Sequence, residues 1–203
     1  MLKKIMYALC FCFLFSSFLF AVSQGQGKTE YFNTSVGIDT TNPIEKLQVI
    51  GRIVSSGTYA EIYCNDASTT TVQGIAAGAT YVKITAFTTN GLSKNMTADA
   101  TNDKITITKA GRYRVEGSFS FADNLPNIVW FGAVFLGGTE QDQLHFSRKI
   151  GAGGDVGNSG LSGFISVASV PADIDFRVRH NGVGSVDIAF AYANLNCNYL
   201  GEI

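Results

Sequence analysis

From Arg112 to Phe121 the sequence alternates in a way that suits a β-strand and no other regular element. Tyr113, Val115, Phe119 and Phe121 fall on one face, and Arg112, Arg114, Glu116, Ser118 and Ser120 on the other. Such a period of two marks a strand with one face buried. Just upstream, Ile105 and Ile107 alternate with Thr106 and Thr108, and further on Ile174, Phe176 and Val178 alternate with Asp173, Asp175, Arg177 and Arg179. Asn90-Gly91 and Asn181-Gly182 are dipeptides that tolerate positive φ and read as turns. No stretch has a helical period. Many short strands punctuated by Gly and Asn predict an all-β fold: a sandwich, a barrel or a jelly roll.

Two segments break the one-face rule. Residues 128–136, Ile-Val-Trp-Phe-Gly-Ala-Val-Phe-Leu, are apolar on both faces. From Val186 to Leu195, Val186, Ile188, Phe190 and Tyr192 share one face, with Ala189, Ala191, Ala193 and Leu195 on the other. An antiparallel strand normally shows water its second face. Two apolar faces imply a second cover, either another subunit or a long loop of the same chain. On the first reading, the candidate subunit-contact residues are Trp130, Phe131, Phe135, Phe190, Tyr192 and Tyr199.

The chain has 203 residues, is 15% charged and carries a formal charge of −1, against about 25% charged in a typical soluble domain. Part of the apolar excess lies at the start. Met1-Leu2-Lys3-Lys4 is a basic stretch, Ile5 to Phe20 is almost unbroken apolar sequence, and Ala21-Val22-Ser23 is a small-x-small cleavage site. That is the layout of a secretory signal peptide over residues 1–23; the competing reading is a retained membrane anchor. A lipidated Cys10 or Cys12 is discarded because no small residue precedes Cys10. Cleavage removes two lysines and moves the charge from −1 to −3. The mature chain then lacks the basic clusters that nucleic acid requires, and no later run is long enough to span a membrane. An exported protein, secreted or held at the cell surface, is expected.

Cleavage also leaves two cysteines, Cys64 and Cys197. In an oxidising compartment an even pair is a disulfide candidate; the alternative is two buried free thiols, which pack as small hydrophobes. Residues 24–35 are polar and read as an extended arm. Val36-Gly37-Ile38 and Leu47 to Gly51 read as two short strands around a turn at Thr41 to Glu45, and Ser55-Ser56-Gly57 as a hinge.

The run Ile105 to Val115, with Lys109-Ala110-Gly111-Arg112-Tyr113 at its centre, resembles the C1q-like motif, in which an apolar strand leads into Ala-Gly-x-Tyr-x-apolar. Ser159 to Val167, Ala172 to Val178 and the ending Val186 to Gly201 are similar to that family's later strands. Where large aromatics are common in the family, this chain has Ile105, Val115 and Gly117. Separately, Val36-Gly37-Ile38-x-Thr40-Thr41-x-Pro43-x-x-Lys46-Leu47-x-Val49-x-Gly51 resembles a segment of bacterial surface proteins and phage tail fibres, with Asp39 in place of the usual Gly. Together the resemblances imply a C1q/TNF-like jelly roll of two five-stranded antiparallel sheets over residues 58–203, an arm and stem over 24–57, and a homotrimer. They also imply that the first and last strands of the jelly roll are neighbours, which would bring Cys64 and Cys197 within reach of each other.

Little in the sequence carries chemistry. His145 and His180 stand far apart with no ligand set around them, and read as surface or interface polar residues. Gly151 to Asp155 lacks the Lys-Ser/Thr of a phosphate loop and reads as a mobile loop. Gly157-Asn158-Ser159-Gly160 has the wrong spacing for a nucleophile elbow. Asp173 and Asp175 read as solvated residues on the outer face of a strand. Asp99, Asp103 and Asp155 could hold calcium, as in some C1q-like trimers, but no Asp-rich loop marks a site. We therefore expect no enzyme, no cofactor and no metal. Two functions fit: a trimeric head that binds an extracellular protein or glycan, or a structural subunit that polymerises through its N-terminal arm into a fibre or coat.

Overall fold

The computed structural model describes residues 36–38, 47–49, 57–66, 72–78, 80–151 and 155–203. The signal segment, the arm, the turn at 41–45, the hinge residues 55 and 56 and residues 152–154 of the Gly-rich loop lie outside these. The described residues fall in two units, Met1–Val54 and Ser55–Ile203. In the first, β1 (Val36–Ile38) and β2 (Leu47–Val49) pair in parallel, Val36 opposite Leu47 and Ile38 opposite Val49.

The second unit is a two-sheet antiparallel jelly roll. Its strands are β3 (Tyr59–Asn65), β4 (Val72–Ile75), β5 (Val82–Lys83), β6 (Thr89–Lys94), β7 (Met96–Asp99), β8 (Lys104–Ile107), β9 (Gly111–Asp123), β10 (Val129–Leu136), β11 (Thr139–Lys149), β12 (Gly157–Val167), β13 (Ala172–His180) and β14 (Val186–Gly201). Each sheet has six strands where the resemblance implies five: sheet one runs β11-β10-β13-β8-β7, with short β5 added on β13, and sheet two runs β12-β9-β14-β3-β6, with short β4 added on β14. The first and last strands, β3 and β14, are hydrogen-bonded neighbours, with Tyr63 opposite Asn194 and Ala60 opposite Cys197.

The core is the space between the sheets. Tyr113, Val115, Phe119 and Phe121 enter it from β9, and Ile174, Phe176 and Val178 from β13, as their alternation dictates. The Phe119 and Phe176 rings stack with centroids 3.8 Å apart, and Phe146 lies 5.8 Å from Phe119 and 5.7 Å from Phe176. Two glycines make room for this cluster. A Cβ on Gly132 would stand 2.5 Å from Phe176 and 2.6 Å from Phe146, and one on Gly117 would stand 2.7 Å from Phe119. Gly117 thus stands where the family resemblance anticipates an aromatic because the Phe119 ring, two residues along the same face, takes that space.

Three sequence expectations need correction. Asn90-Gly91 is not a turn but part of β6, beside a register shift between Ala60 and Ile62 of β3. Glu61 crowds Gly91 there, so a Cβ at residue 91 would lie 2.4 Å from its carboxylate. Val186 to Leu195 does not have two apolar faces. A β-bulge sets Phe190 opposite Phe121 and Tyr192 opposite Ser120, leaving Ala191 as the extra residue. The bulge exchanges the faces, so Val186, Ile188 and Phe190 before it and Ala193, Leu195 and Cys197 after it all point inward. Trp130 and Phe190 are 0% and 1% exposed within the single chain; they are core residues, not subunit contacts.

β10 is two-faced, and its own chain covers it. Trp130 and Val134 point into the core, while Phe131, Ala133 and Phe135 line the outer face. The ring of Tyr81, just before β5, packs edge-on to Phe135 at 5.5 Å, and the guanidinium groups of Arg177 and Arg179 lie 4.2 Å and 4.3 Å over Phe135 and Phe131.

Candidate functional site

The outer face of sheet two is built from the polar halves of the alternating strands. β9 contributes Glu116, Ser118 and Ser120, β12 contributes Asn158, Gly160 and Ser162, and β14 contributes Asn194 and Asn196. Their small side chains leave two adjoining shallow depressions of about 560 Å³ and 420 Å³. Tyr192, half-exposed, edges the second, and Phe164 stands 64% exposed on β12 opposite Arg114. A directional hydrogen-bond ladder runs along β14. Asn198 Nδ2 donates to Asn196 Oδ1 (3.1 Å), Asn196 Nδ2 to Asn194 Oδ1 (3.2 Å), and Asn194 Nδ2 to Glu61 Oε1 (2.5 Å) on β3.

Of the six contact candidates, Tyr192 alone faces outward on sheet two; Phe131 and Phe135 lie on the outer face of sheet one, beneath arginines. Tyr199 packs against the core beside Tyr113, ring centroids 5.3 Å apart, with Lys109 Nζ 4.4 Å over its ring.

The cysteines are neighbours in the sheet but not partners. Cys64 stands opposite Ala193 and Cys197 opposite Ala60. That register offsets them by four residues, about 13 Å along the strand direction, well past the ~7 Å between Cα atoms that a disulfide spans. Both are buried free thiols, and burial pushes the Cys197 thiol up to about 12. The first and last strands are neighbours, as the C1q/TNF-like resemblance implies; the offset lies in their register.

The outer face of sheet one carries the charged halves of its strands. Arg177 grips Asp175 with two bonds, 2.6 Å and 3.0 Å. Asp173 accepts from Lys104 Nζ (2.8 Å) and Thr106 Oγ1 (2.6 Å). Burial raises the Asp173 carboxyl, but these two bonds together with the positive charges of Lys104 and Lys83 hold it below the ordinary range. Asp175 is buried, so this pair is not simply solvated as its position in the alternation suggested. His145 Nε2 is 3.1 Å from Glu140 Oε1. His180 is neither a surface nor an interface residue: it is buried, its Nδ1 accepts from Gly182 N–H (3.0 Å), and Nε2 lies 2.8 Å from the Ile75 carbonyl. Since Nδ1 accepts, Nε2 carries the proton and donates to Ile75.

Among the described residues no chemistry-bearing cluster emerges. Asp99 caps the 3₁₀ turn at Ala100–Asn102 and accepts from Asn102 N–H, while Asp103, held buried at the end of that turn, accepts from Phe87 N–H at 3.1 Å. Asp155 accepts from Gly151 N–H at 2.8 Å instead of joining them. Among the described residues no three His, Cys, Asp or Glu side chains are grouped to hold a metal, and no helix is long and apolar enough to cross a membrane.

No protein-family model and no curated protein matches the chain. Solved structures do. The likeness is to a TNF and to a phage vertex protein. Eiger TNF from S. frugiperda is 10% identical at a TM-score of 0.47, over 72% of this chain and 94% of that one. The PRD1 vertex protein P5 is 13% identical at 0.45, over 70% of this chain and 96% of that one. At these values the jelly-roll assignment rests on this chain's own strand order and register.

Proposed function

We propose that the protein is an exported, non-enzymatic surface or fibre-head module whose residues 58–203 form a homotrimeric jelly-roll head for extracellular binding, carried by the segment 24–57. The observation that supports this reading is the outer face of sheet two. Its centre is made of Ser, Gly and Asn, with the ring of Tyr192 half-exposed among them and the Arg114–Glu116 ion pair beside them, and such small side chains let a second sheet approach closely. A groove-lining aromatic in a face of satisfied amides suits a subunit contact, since exposed aromatics concentrate at interfaces. The Asn ladder ending at Glu61 adds polar groups with a fixed direction, which can specify register between copies. The signal-peptide layout supports export. The test is light scattering after size exclusion on residues 24–203. Three subunits per particle are expected, and a monomer at micromolar concentration overturns the reading.

A further inference from the structure

An open groove of about 840 Å³ lies on the outer face of sheet one, inside the ~300–1,000 Å³ range of small-ligand sites. β13, the strand between β10 and β8, lines it with Asp173, Asp175 and Arg177. β8 adds Lys104 and Thr106, and the β10–β11 turn adds Gly137 and Gly138. The four charged groups are paired, Lys104 with Asp173 and Arg177 with Asp175, so their charges cancel. Their hydrogen-bonding capacity is not exhausted. Lys104 Nζ gives one N–H to Asp173 Oδ2 (2.8 Å), and Thr106 Oγ1 donates to Asp173 Oδ1 (2.6 Å). Arg177 gives Asp175 its Nε–H (2.6 Å) and one N–H of Nη2 (3.0 Å). Among the described residues, this leaves further N–H groups on Lys104 and Arg177, room for another bond at each Asp173 oxygen, and the Thr106 oxygen as an acceptor. Solvent reaches these groups: the side chains of Lys104, Asp173 and Arg177 are 30%, 41% and 25% exposed. They are also held in place, Arg177 by its two bonds to Asp175 and by the Phe135 ring 4.2 Å beneath it.

We propose that this groove binds a neutral sugar, a hexose or a short chain of hexoses. The order of its polar groups selects that class. An ammonium donor and a carboxylate acceptor stand 2.8 Å apart in the Lys104–Asp173 pair, so a ligand must accept from one and donate to the other within a bond's length. A hydroxyl does both, and neighbouring ring hydroxyls repeat the pattern around a sugar. A simple ion gains little, because each charge already faces its counter-charge. Leu136, Val167 and Pro171 also line the groove and give the C–H face of a pyranose apolar surface. None of the lining residues is aromatic, so a protein partner finds no aromatic anchor of the kind that dominates docking, and a single sugar should bind only at millimolar strength. The inference rests on the reading of an extracellular binding head, to which it gives a ligand class. The groove lies on the sheet opposite the one suggested for subunit contact and is complete within one subunit, so the two can fail separately.

The test is an NMR titration of the mature chain with the methyl glycosides of glucose, galactose and mannose, read at the backbone amides of Gly137, Gly138 and Ser169. At least one glycoside should give a saturable shift at millimolar concentration, and the proposal is overturned if none does. Alanine, a zwitterion that could also bridge the charges, and a capped Ser-Gly-Ser peptide should both act more weakly. Either one matching the best glycoside overturns the assignment to a sugar. Asp173→Asn, close in shape, and Lys104→Met, which keeps the stem, should each bind that glycoside at least about tenfold more weakly, as lost hydrogen bonds to charged groups predict. Unchanged affinity in either overturns the groove as the site. Should Asp173→Asn fail to fold by circular dichroism, Thr106→Val serves instead, with a several-fold loss expected and an unchanged affinity equally decisive against the proposal. Light scattering on the same samples reads assembly separately: a monomer that binds the glycoside keeps the groove and removes the trimer.

Discussion

Trp130 shows how a single side chain is fixed from two sides. Its Nε1–H donates to Asp123 Oδ2 at 2.7 Å, and its ring packs on that of His180 with centroids 5.0 Å apart. Burial raises the Asp123 carboxyl, and the bond from Trp130 pulls it back. Trp130→Phe keeps most of the packing but leaves that carboxylate short of a donor. It should destabilise the fold by about 1.5–3 kcal/mol, the range for hydrogen bonds to charged groups, read by denaturant unfolding followed by far-UV circular dichroism. Trp130→Asp places an unpaired charge in the core and should abolish folding of the single subunit, not merely assembly. Asp103 gives the opposite sign. Burial raises its carboxyl above the ordinary value, so the native state binds that proton more tightly than the unfolded chain. Stability from this group therefore falls as pH rises from the unfolded value through the raised folded one. Asp103→Asn keeps an acceptor for Phe87 N–H and removes the buried charge. It should raise Tm at neutral pH by about 2–4 °C, what ~1 kcal/mol produces at this size, and the gain should vanish below the unfolded pKa. Calorimetry from acid to neutral pH checks it; a gain that persists in acid would sink the explanation. For the cysteines, a thiol pushed up to about 12 by burial should resist alkylation in the native protein. Mass spectrometry should find Cys64 and Cys197 both free and labelled only on unfolding.

At the scale of the strand, what was legible in the sequence divides by the range of the cause. β8, β9 and β13 were legible because one buried face writes period two directly into the chain. The Ala191 bulge was not. It occurs where β14 leaves β4, its partner at Val186 to Ala189, for β3, its partner from Tyr192 onward, and that exchange involves residues more than a hundred positions apart. Read without it, the run looks apolar on two faces. The cover over Phe131 and Phe135 is equally non-local, since it comes from Tyr81, Arg177 and Arg179. The β10–β11 turn, by contrast, is written locally in the sequence. Gly137-Gly138 links Leu136 to Thr139 with φ of 55° and 84°, the positive pair a two-residue hairpin needs. Nothing stands within 4 Å of a Cβ added at either position, so substitutions there report backbone strain alone. Gly137→Ala should destabilise by about 1–2 kcal/mol, and Gly137→Asn by less because Asn tolerates this region. Equal losses in thermal melts of the two variants would contradict that account.

For the whole molecule, the two sheets present different amounts of charge to solvent, three ion pairs on sheet one and one on sheet two among the described residues, and that asymmetry decides how copies would meet. Sheet one shows paired charges: Lys104 with Asp173, Arg177 with Asp175, His145 with Glu140. Burying such pairs removes them from water for little return. Sheet two shows one pair, Arg114 with Glu116, beside small hydroxyl and amide side chains around Tyr192, with Asn194, Asn196 and Asn198 already bonded along the strand and on to Glu61. Burying that face requires fewer charges to be stripped of water, so assembly should use sheet two. Ser118 lines both depressions on this face, and an arginine there would set a long cation into the contact. Ser118→Arg should therefore reduce the particle to a single subunit by light scattering while its far-UV spectrum stays that of the parent. Ser147→Arg, a matched change on the outer face of sheet one, should leave the mass unaltered. If Ser147→Arg dissociates the particle and Ser118→Arg does not, the copies meet through sheet one.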